Sequence, residues 1–427
     1  LDEPSIGLHP ANIKGLIGVI NDLINDGNSV VLVDHDAQIL NAADWMIEMG
    51  PKAGAGGGTV VAEGPLEAIE ADPKSLIGPF LSGQTIRSRE VTPKEHMFGL
   101  GVISMETDSI HTVHPLSVRI PRGRLTVVTG VSGSGKTTLI LESLVPALLN
   151  KLAGKPLPAH VKSIDAPDIR QVKLIDASPI GINVRSTVAT YANVHDELRK
   201  VFARTEDAKA LGWKSSDFSY NTGKLRCPVC DGTGIVSLDV QFLPDVDIPC
   251  PECRGSRYAA DAMKVRHRNK ENVSYSLPEI MAMDITSALT ACDGLKLVSQ
   301  RLKVLEDLGL GYLTLGEATP LLSGGEAQRL KLASEMGKTQ SDAVFVFDEP
   351  TIGLHPLDVL TLLKVFQRLI ENGATVIVIE HDLDVIRNAD WIIDLGPGGG
   401  TEGGRIVAEG TPADIRGTKE SQTGRAI

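Results

Sequence analysis

Residues 125–145 read Leu125-Thr126-Val127-Val128-Thr129-Gly130-Val131-Ser132-Gly133-Ser134-Gly135-Lys136-Thr137-Thr138-Leu139-Ile140-Leu141-Glu142-Ser143-Leu144-Val145. The opening residues form a short β-branched run suited to a buried strand, and the closing ones carry the apolar pattern of a helix. Between them lies a complete phosphate-binding loop, whose glycines let backbone N–H groups converge on an anion at the positive end of the following helix. Strand before and helix after are the context that separates such a loop from a glycine-rich surface turn carrying a stray lysine. Residues Gly130, Val131, Ser132, Gly133, Ser134, Gly135, Lys136, Thr137 and Thr138 are therefore the candidate nucleotide contacts.

A second buried strand, Ala343-Val344-Phe345-Val346-Phe347, runs into Asp348-Glu349. With ATP in the loop, Lys136 would hold the β- and γ-phosphates, and the Thr137 hydroxyl and Asp348 would serve Mg2+. Glu349 suits the base or orienter of the attacking water. His381, after the strand Val376-Ile377-Val378-Ile379, is placed to sense the γ-phosphate. Leu322-Ser323-Gly324-Gly325-Glu326 followed by Ala327-Gln328-Arg329-Leu330-Lys331 is the signature of ATP-binding cassettes, in which Ser323, Gly324, Gly325 and Glu326 open a helix towards a nucleotide held by a facing cassette. The expected fold class is α/β, a phosphate-loop ATPase of the ATP-binding-cassette type, working as head-to-tail pairs.

Shifting the sequence by 346 positions aligns residues 1–81 with 347–427 without a gap. Asp2-Glu3-Pro4 falls on Asp348-Glu349-Pro350, His35 on His381 and Ala43-Asp44-Trp45 on Ala389-Asp390-Trp391. Such self-similarity marks two related domains. We expect residues 1–81 to be the closing part of a first cassette, truncated here and carrying Asp2, Glu3 and His35. Residues 82–100, rich in proline and charge around Arg87-Ser88-Arg89-Glu90, read as a linker. Residues 101–427 read as a second cassette, with an inserted helical and metal-binding region at about 150–300.

Within that insertion, Cys227-Pro228-Val229-Cys230 and Cys250-Pro251-Glu252-Cys253 form two C-x2-C pairs separated by nineteen residues. Paired thiolates on tight turns suit a tetrahedral structural Zn2+. The stretch after the second pair is basic, with Arg254, Arg257, Lys264, Arg266, Arg268 and Lys270, and has Phe242 and Tyr258 nearby. It reads either as a solvated hairpin face or as a phosphate-backbone contact through Arg254, Arg257, Arg266 and Arg268. A net charge of -12 means that any nucleic acid must be met by such a local patch. No apolar run approaches the length that spans a bilayer, and nothing near residue 1 resembles a basic-then-apolar signal peptide; no membrane association and a cytoplasmic location are expected.

Several of these stretches together resemble the UvrA family, the damage-recognition ATPases of bacterial nucleotide excision repair. They are the cysteine module inside an unusually long gap between phosphate loop and signature, Phe242-Leu243-Pro244-Asp245-Val246, Gly309-Leu310-Gly311-Tyr312, both Gly-Leu-His triads at 7–9 and 353–355, and Leu395-Gly396-Pro397-Gly398-Gly399-Gly400. The resemblance covers essentially the whole chain and points to the carboxy-terminal part of a family member. It implies a homodimeric ATPase that binds damaged double-stranded DNA and loads UvrB. It also implies that the first phosphate loop, the first signature and the UvrB-binding insert lie outside this chain, so that the chain alone should turn ATP over weakly. Two positions depart from the family pattern: Ala177 stands where a lid-loop glutamine is expected, and Asp34 replaces the glutamate before the switch histidine. Two rival readings remain at this point, a UvrA-like self-resistance ATPase that removes DNA-bound drugs and the ATPase subunit of an ABC transporter.

Overall fold

The computed structural model describes residues 1–51, 57–81, 89–181, 183–238, 246–336 and 340–427. The Phe242–Val246 stretch, part of the linker and Ile182 thus fall wholly or mostly outside the described residues. The chain divides into two units, residues 1–177 with 337–427, and residues 178–336. The inserted unit therefore starts later than the sequence pattern suggests, and it includes the signature helix Gly324–Glu335. Local packing explains this: the helix buries Ala327, Leu330 and Leu332 within the insertion, and Arg329 donates to the Leu308 carbonyl oxygen there.

The first unit is built on a six-stranded sheet among the described residues, in the order Arg405–Gly410, Trp391–Gly396, Leu125–Gly130, Thr375–Ile379, Ala343–Asp348, Gln171–Ile175. The last five run parallel, and only Arg405–Gly410 is antiparallel. Leu125–Gly130, Thr375–Ile379 and Trp391–Gly396 are buried along their whole lengths, the continuous apolar reading typical of parallel strands covered on both faces. Beside them a three-stranded antiparallel sheet, with Val102–Thr107 between Leu116–Pro121 and Val161–Asp165, closes over Leu139, Ile140, Leu144 and Leu148 of the helix that follows the phosphate loop. Val128, Asp348 and Ile379 share one register, so Gly130, Glu349 and Glu380 emerge at the same carboxyl edge. That edge is where open α/β sheets bind ligands.

The internal repeat is visible in three dimensions. Met46–Gly50 pairs with Thr59–Gly64 in the register that Trp391–Gly396 uses with Arg405–Gly410, and both hairpins bulge at the same place, after Glu48 and Asp394. The helices Pro10–Asn25 and Pro356–Glu371 are capped by His9 and His355, each accepting a backbone N–H two residues on. Burial, however, differs between the copies. Val31 is 78% exposed where its equivalent Ile377 is 0%, and Trp45 is 61% exposed against 8% for Trp391. In the second copy Leu125–Gly130 covers these positions; among the described residues, the first copy's hairpin is a two-stranded sheet.

The charged run read as linker contributes a core residue. Arg89 is buried, and its guanidinium meets Asp390 at 2.8 Å and the Asn388 carbonyl oxygen at 2.7 Å. Asp390 also accepts the backbone N–H groups of Thr92 and Leu125, so one carboxylate fastens this segment to the central strand. A buried pair is costly to break because the remaining charge is left without compensation. Arg89→Met should lower unfolding free energy by about 3–5 kcal/mol in urea titrations, and combining it with Asp390→Asn should cost less than the two single effects added together.

Candidate functional site

The phosphate loop is shaped by what lies against it. A Cβ on Gly130, at φ 132°, would sit 2.0 Å from the carbonyl oxygen of Leu395, so only glycine allows the neighbouring strand this close. Gly400 and Gly404 donate their backbone N–H groups to the carbonyl oxygens of Gly133 and Ser134, bracing the loop from the turn after Leu395. In the sequence that glycine-rich turn stands out only as a family mark. Ser132, Gly133 and Thr137 are exposed or partly so, whereas Lys136 is buried and donates to its own loop, to the carbonyl oxygens of Gly130 at 2.9 Å and Val131 at 3.2 Å. Burial pushes the Lys136 ammonium down to about 8, against the pull of the Glu349, Asp394, Asp348 and Glu380 carboxylates. The Ser134 hydroxyl is buried with no partner among the described residues.

Across the same edge, Glu349 Oε1 lies 3.5 Å from His381 Nε2. Glu349 has φ 44° and its repeat equivalent Glu3 has φ 41°, a left-handed conformation that non-glycine residues adopt only when their surroundings enforce it. The His381 imidazole holds Glu349 below the usual carboxylate range, although burial opposes this; Asp348 is pushed up by its own burial and by Glu349. The buried carboxylate of Glu380 ties this corner together, accepting from Thr351 N at 2.9 Å, Thr351 Oγ1 at 2.5 Å, His381 N at 2.6 Å and Asp382 N at 3.0 Å.

The first copy repeats the corner. Asp34 accepts from Ser5 N, Ser5 Oγ, His35 N and Asp36 N, so the shorter side chain performs the same anchoring as Glu380. His35 Nε2 lies 3.4 Å from Glu3 Oε1. Asp2 is exposed and bridges in parallel to Val33. The two corners face one another: a Cβ on Gly7 would lie 3.7 Å from Glu349 Oε2, and one on Gly353 would lie 3.5 Å from Glu3 Oε2. Ala177 is exposed two residues beyond the strand Gln171–Ile175, and its methyl group offers neither donor nor acceptor.

In the second unit, Ser323 caps the signature helix in a reciprocal box with Glu326, whose other oxygen accepts from the Tyr312 hydroxyl at 2.6 Å. Ser323 and Gly324 are both exposed at that helix start, so the first turn is open to solvent. The four sulfurs of Cys227, Cys230, Cys250 and Cys253 lie within 4.8 Å of one another, with Cys227–Cys250 at 3.9 Å and Cys230–Cys253 at 3.6 Å. A tetrahedral ion with Zn–S bonds of about 2.3 Å needs sulfur separations of about 3.8 Å, so the set fits Zn2+. Gly232, at φ 79°, lies so close to the Tyr220 carbonyl oxygen that a Cβ would be 1.8 Å away, which makes the first knuckle turn depend on glycine.

The basic stretch divides. Arg257 is 6% exposed; it donates to the Val184 carbonyl oxygen at 2.8 Å and lies over the Tyr220 ring. Its guanidinium is thus spent on backbone carbonyl oxygens and an aromatic face, unlike the exposed members of the candidate set of DNA contacts. Tyr258 is buried as well, with its hydroxyl 2.7 Å from His195 Nε2, so it offers no stacking surface. Arg266 is committed to Ser274 and Glu279, while Arg268 bonds to Asn272 and is exposed, as is Arg254. Sequence spacing cannot distinguish an arginine under a knuckle from one on its surface.

No family model matches the chain. The chain is 43% identical to UvrABC system protein A of Thermus thermophilus over 97% of this chain and 43% of that protein. It is likewise 43% identical to UvrABC system protein A of Bacillus subtilis over 100% of this chain and 44% of that protein. The structure of UvrA2 from Deinococcus radiodurans matches with a TM-score of 0.89 and 38% identity, covering 100% of this chain and 51% of that one. An archaeal ribosome recycling factor, aABCE1 in complex with aP1, shares the fold at a TM-score of 0.52 and 17% identity, covering 97% of this chain and 61% of that one. Phosphate loop, acidic strand end, switch histidine and signature define an α/β ATPase fold of the ATP-binding-cassette class. Within that class the chain belongs to the UvrA family. It spans about half the length of the relatives it matches.

If the four cysteines hold a structural ion, purified protein should contain about one zinc per chain, measured by atomic emission. Cys250→Ser should lose most of it and lower the thermal midpoint, because binding and local folding are coupled.

Proposed function

We propose that this chain binds and hydrolyses ATP as part of a DNA-damage-recognition protein of nucleotide excision repair, and that it acts on duplex DNA and loads UvrB. The observation that carries the ATPase reading is the convergence of Lys136, Asp348, Glu349 and His381 on one sheet edge beside the phosphate loop. Lys136 would exchange its loop carbonyls for the β- and γ-phosphates, a trade of neutral acceptors for charged ones. The Thr137 hydroxyl and Asp348 would hold Mg2+, which supplies charge neutralisation of the phosphates when bound. Glu349, kept ionised by His381, would orient the attacking water, and His381 would contact the γ-phosphate. The open signature start at Ser323 and Gly324 supports a facing nucleotide and hence pairing of cassettes, including homodimers.

Family membership sets aside the transporter reading, and no helix among the described residues is long and apolar enough to cross a membrane. The self-resistance reading keeps one specific support: an exposed Ala177 stands where the family pattern has a polar lid-loop side chain. DNA contact through the zinc module is proposed for Arg254 and Arg268, its exposed arginines, and not for Arg257.

Glu349→Gln keeps shape and removes charge. In the full protein with duplex DNA present, it should bind ATP as the parent does and hydrolyse it about a hundredfold or more slowly; equal turnover would sink the assignment. Arg254→Ala with Arg268→Ala should weaken binding to damaged and intact duplex alike. The double variant should also reduce the slope of log affinity against log salt by at most about 0.9 for each phosphate that an arginine no longer neutralises. An unchanged slope in fluorescence anisotropy titrations would place the DNA surface elsewhere.

A further inference from the structure

His9, from the first repeat copy, is fully buried against the second copy's switch histidine. Its ring stands edge-on to His381, with centroids 5.5 Å apart and planes at 85°. The orientation of His9 is fixed at both nitrogens. Ala11 N–H donates to Nδ1, so Nδ1 is the unprotonated nitrogen of the neutral ring and Nε2 carries the hydrogen. Nε2 then donates to Thr423 Oγ1 at 3.1 Å, and Thr423 Oγ1 donates to Asp394 Oδ1 at 3.0 Å. Ser421 holds the other Asp394 oxygen. Thr423, Ser421 and Asp394 are at most 1% exposed, so the chain of bonds is shielded from water. Burial, followed by the neighbouring His381 and Lys136, pushes the His9 imidazole down to about 3, consistent with the neutral tautomer.

His381 itself is poorly held. Among the described residues its buried Nδ1 has no hydrogen-bond partner, and its Nε2 has the 3.5 Å contact to Glu349. The clamped His9 ring stands against one side of it and so restrains its orientation. The clamp is one-sided. The repeat equivalent of Thr423 is Ile77, which has no hydroxyl; Glu48, equivalent to Asp394, spends its oxygens on Ser75 Oγ and the N–H groups of Leu76 and Ile77. The His355 ring likewise stands edge-on to His35, with centroids 6.1 Å apart, but it packs on Phe80 where His9 has the Thr423 hydroxyl.

We propose that His9, clamped by Thr423 and Asp394, is a positioning residue that fixes the imidazole of His381, so that recognition of the γ-phosphate in the second copy's site depends on a side chain of the first copy. This rests on the nucleotide-site reading above. Packing of one ring edge on another contributes modestly, and so does a single hydrogen bond, so the effect should be graded rather than complete.

The test measures, in the full protein with Mg2+, calorimetric affinities for ADP and for the imido-bridged non-hydrolysable ATP analogue. Thr423→Val removes the hydroxyl and keeps the shape. It should leave ADP affinity within about twofold and reduce the preference for the triphosphate by about three- to tenfold, the reach of one hydrogen bond. Thr423→Ser should restore the preference, which a packing role for the threonine methyl would not allow. If Thr423→Val fails to fold, His9→Leu, which keeps buried volume, should show the same selective loss. Unchanged preference in the folded variant, or equal weakening for both nucleotides, overturns the positioning role. A parent protein that binds neither nucleotide would instead overturn the nucleotide-site reading itself, a distinguishable result.

Discussion

Everything at the candidate nucleotide site depends on the parallel pairing of Leu125–Gly130 with a strand on each side, Thr375–Ile379 and Trp391–Gly396. Parallel strands bring their carboxyl ends to one edge, so three distant segments deliver a phosphate loop, an acidic corner and a switch histidine to one place without any long side chain having to reach. The tolerance is small. Gly130 must lack a Cβ because the Leu395 carbonyl oxygen occupies that space, and the glycine-rich turn after Leu395 then supplies the N–H groups that brace the loop.

A second layer of constraint consists of buried and half-buried carboxylates that act as fasteners. Glu380 and Asp34 each gather four donors from the turns around them and so fix the corner in both repeat copies. Asp390 joins the segment at Arg89 and Thr92 to the central strand, and Asp394 receives two hydroxyls from near the chain's end. Each of these groups is kept in a poorly hydrated place by several hydrogen bonds, the condition under which a buried charge or polar group is tolerated. Lys136 is the contrasting case, since its buried ammonium makes do with two neutral carbonyl oxygens and is correspondingly pushed down.

The two repeat copies share sequence pattern, hairpin register, bulge and strained glutamate, yet they differ in what covers them. Exposure of Val31 and Trp45 against burial of Ile377 and Trp391 reflects the strands alongside, not the residues themselves. The same holds for the histidines after the Gly-Leu motif. His9 finds Thr423 and a hydrogen-bonded clamp, and His355 finds Phe80. A near-identical local sequence thus occupies two different chemical settings.

The sequence by itself determined the ATPase class, the repeat and the cysteine set, because each rests on local spacing: glycines and lysine in one turn, an acidic pair at a strand end, two C-x2-C pairs. Asp34, which departs from the family pattern, also proved equivalent to Glu380 by its local hydrogen bonds. Only the tertiary structure decided which arginines are exposed and which lie beneath the cysteine knuckle, that Arg89 belongs to the core, and that His9, Thr423 and Asp394 form one relay. Those facts join residues hundreds of positions apart, through burial and hydrogen-bond direction. Neither quantity leaves a period or a spacing in the chain, because each depends on what the rest of the fold places alongside.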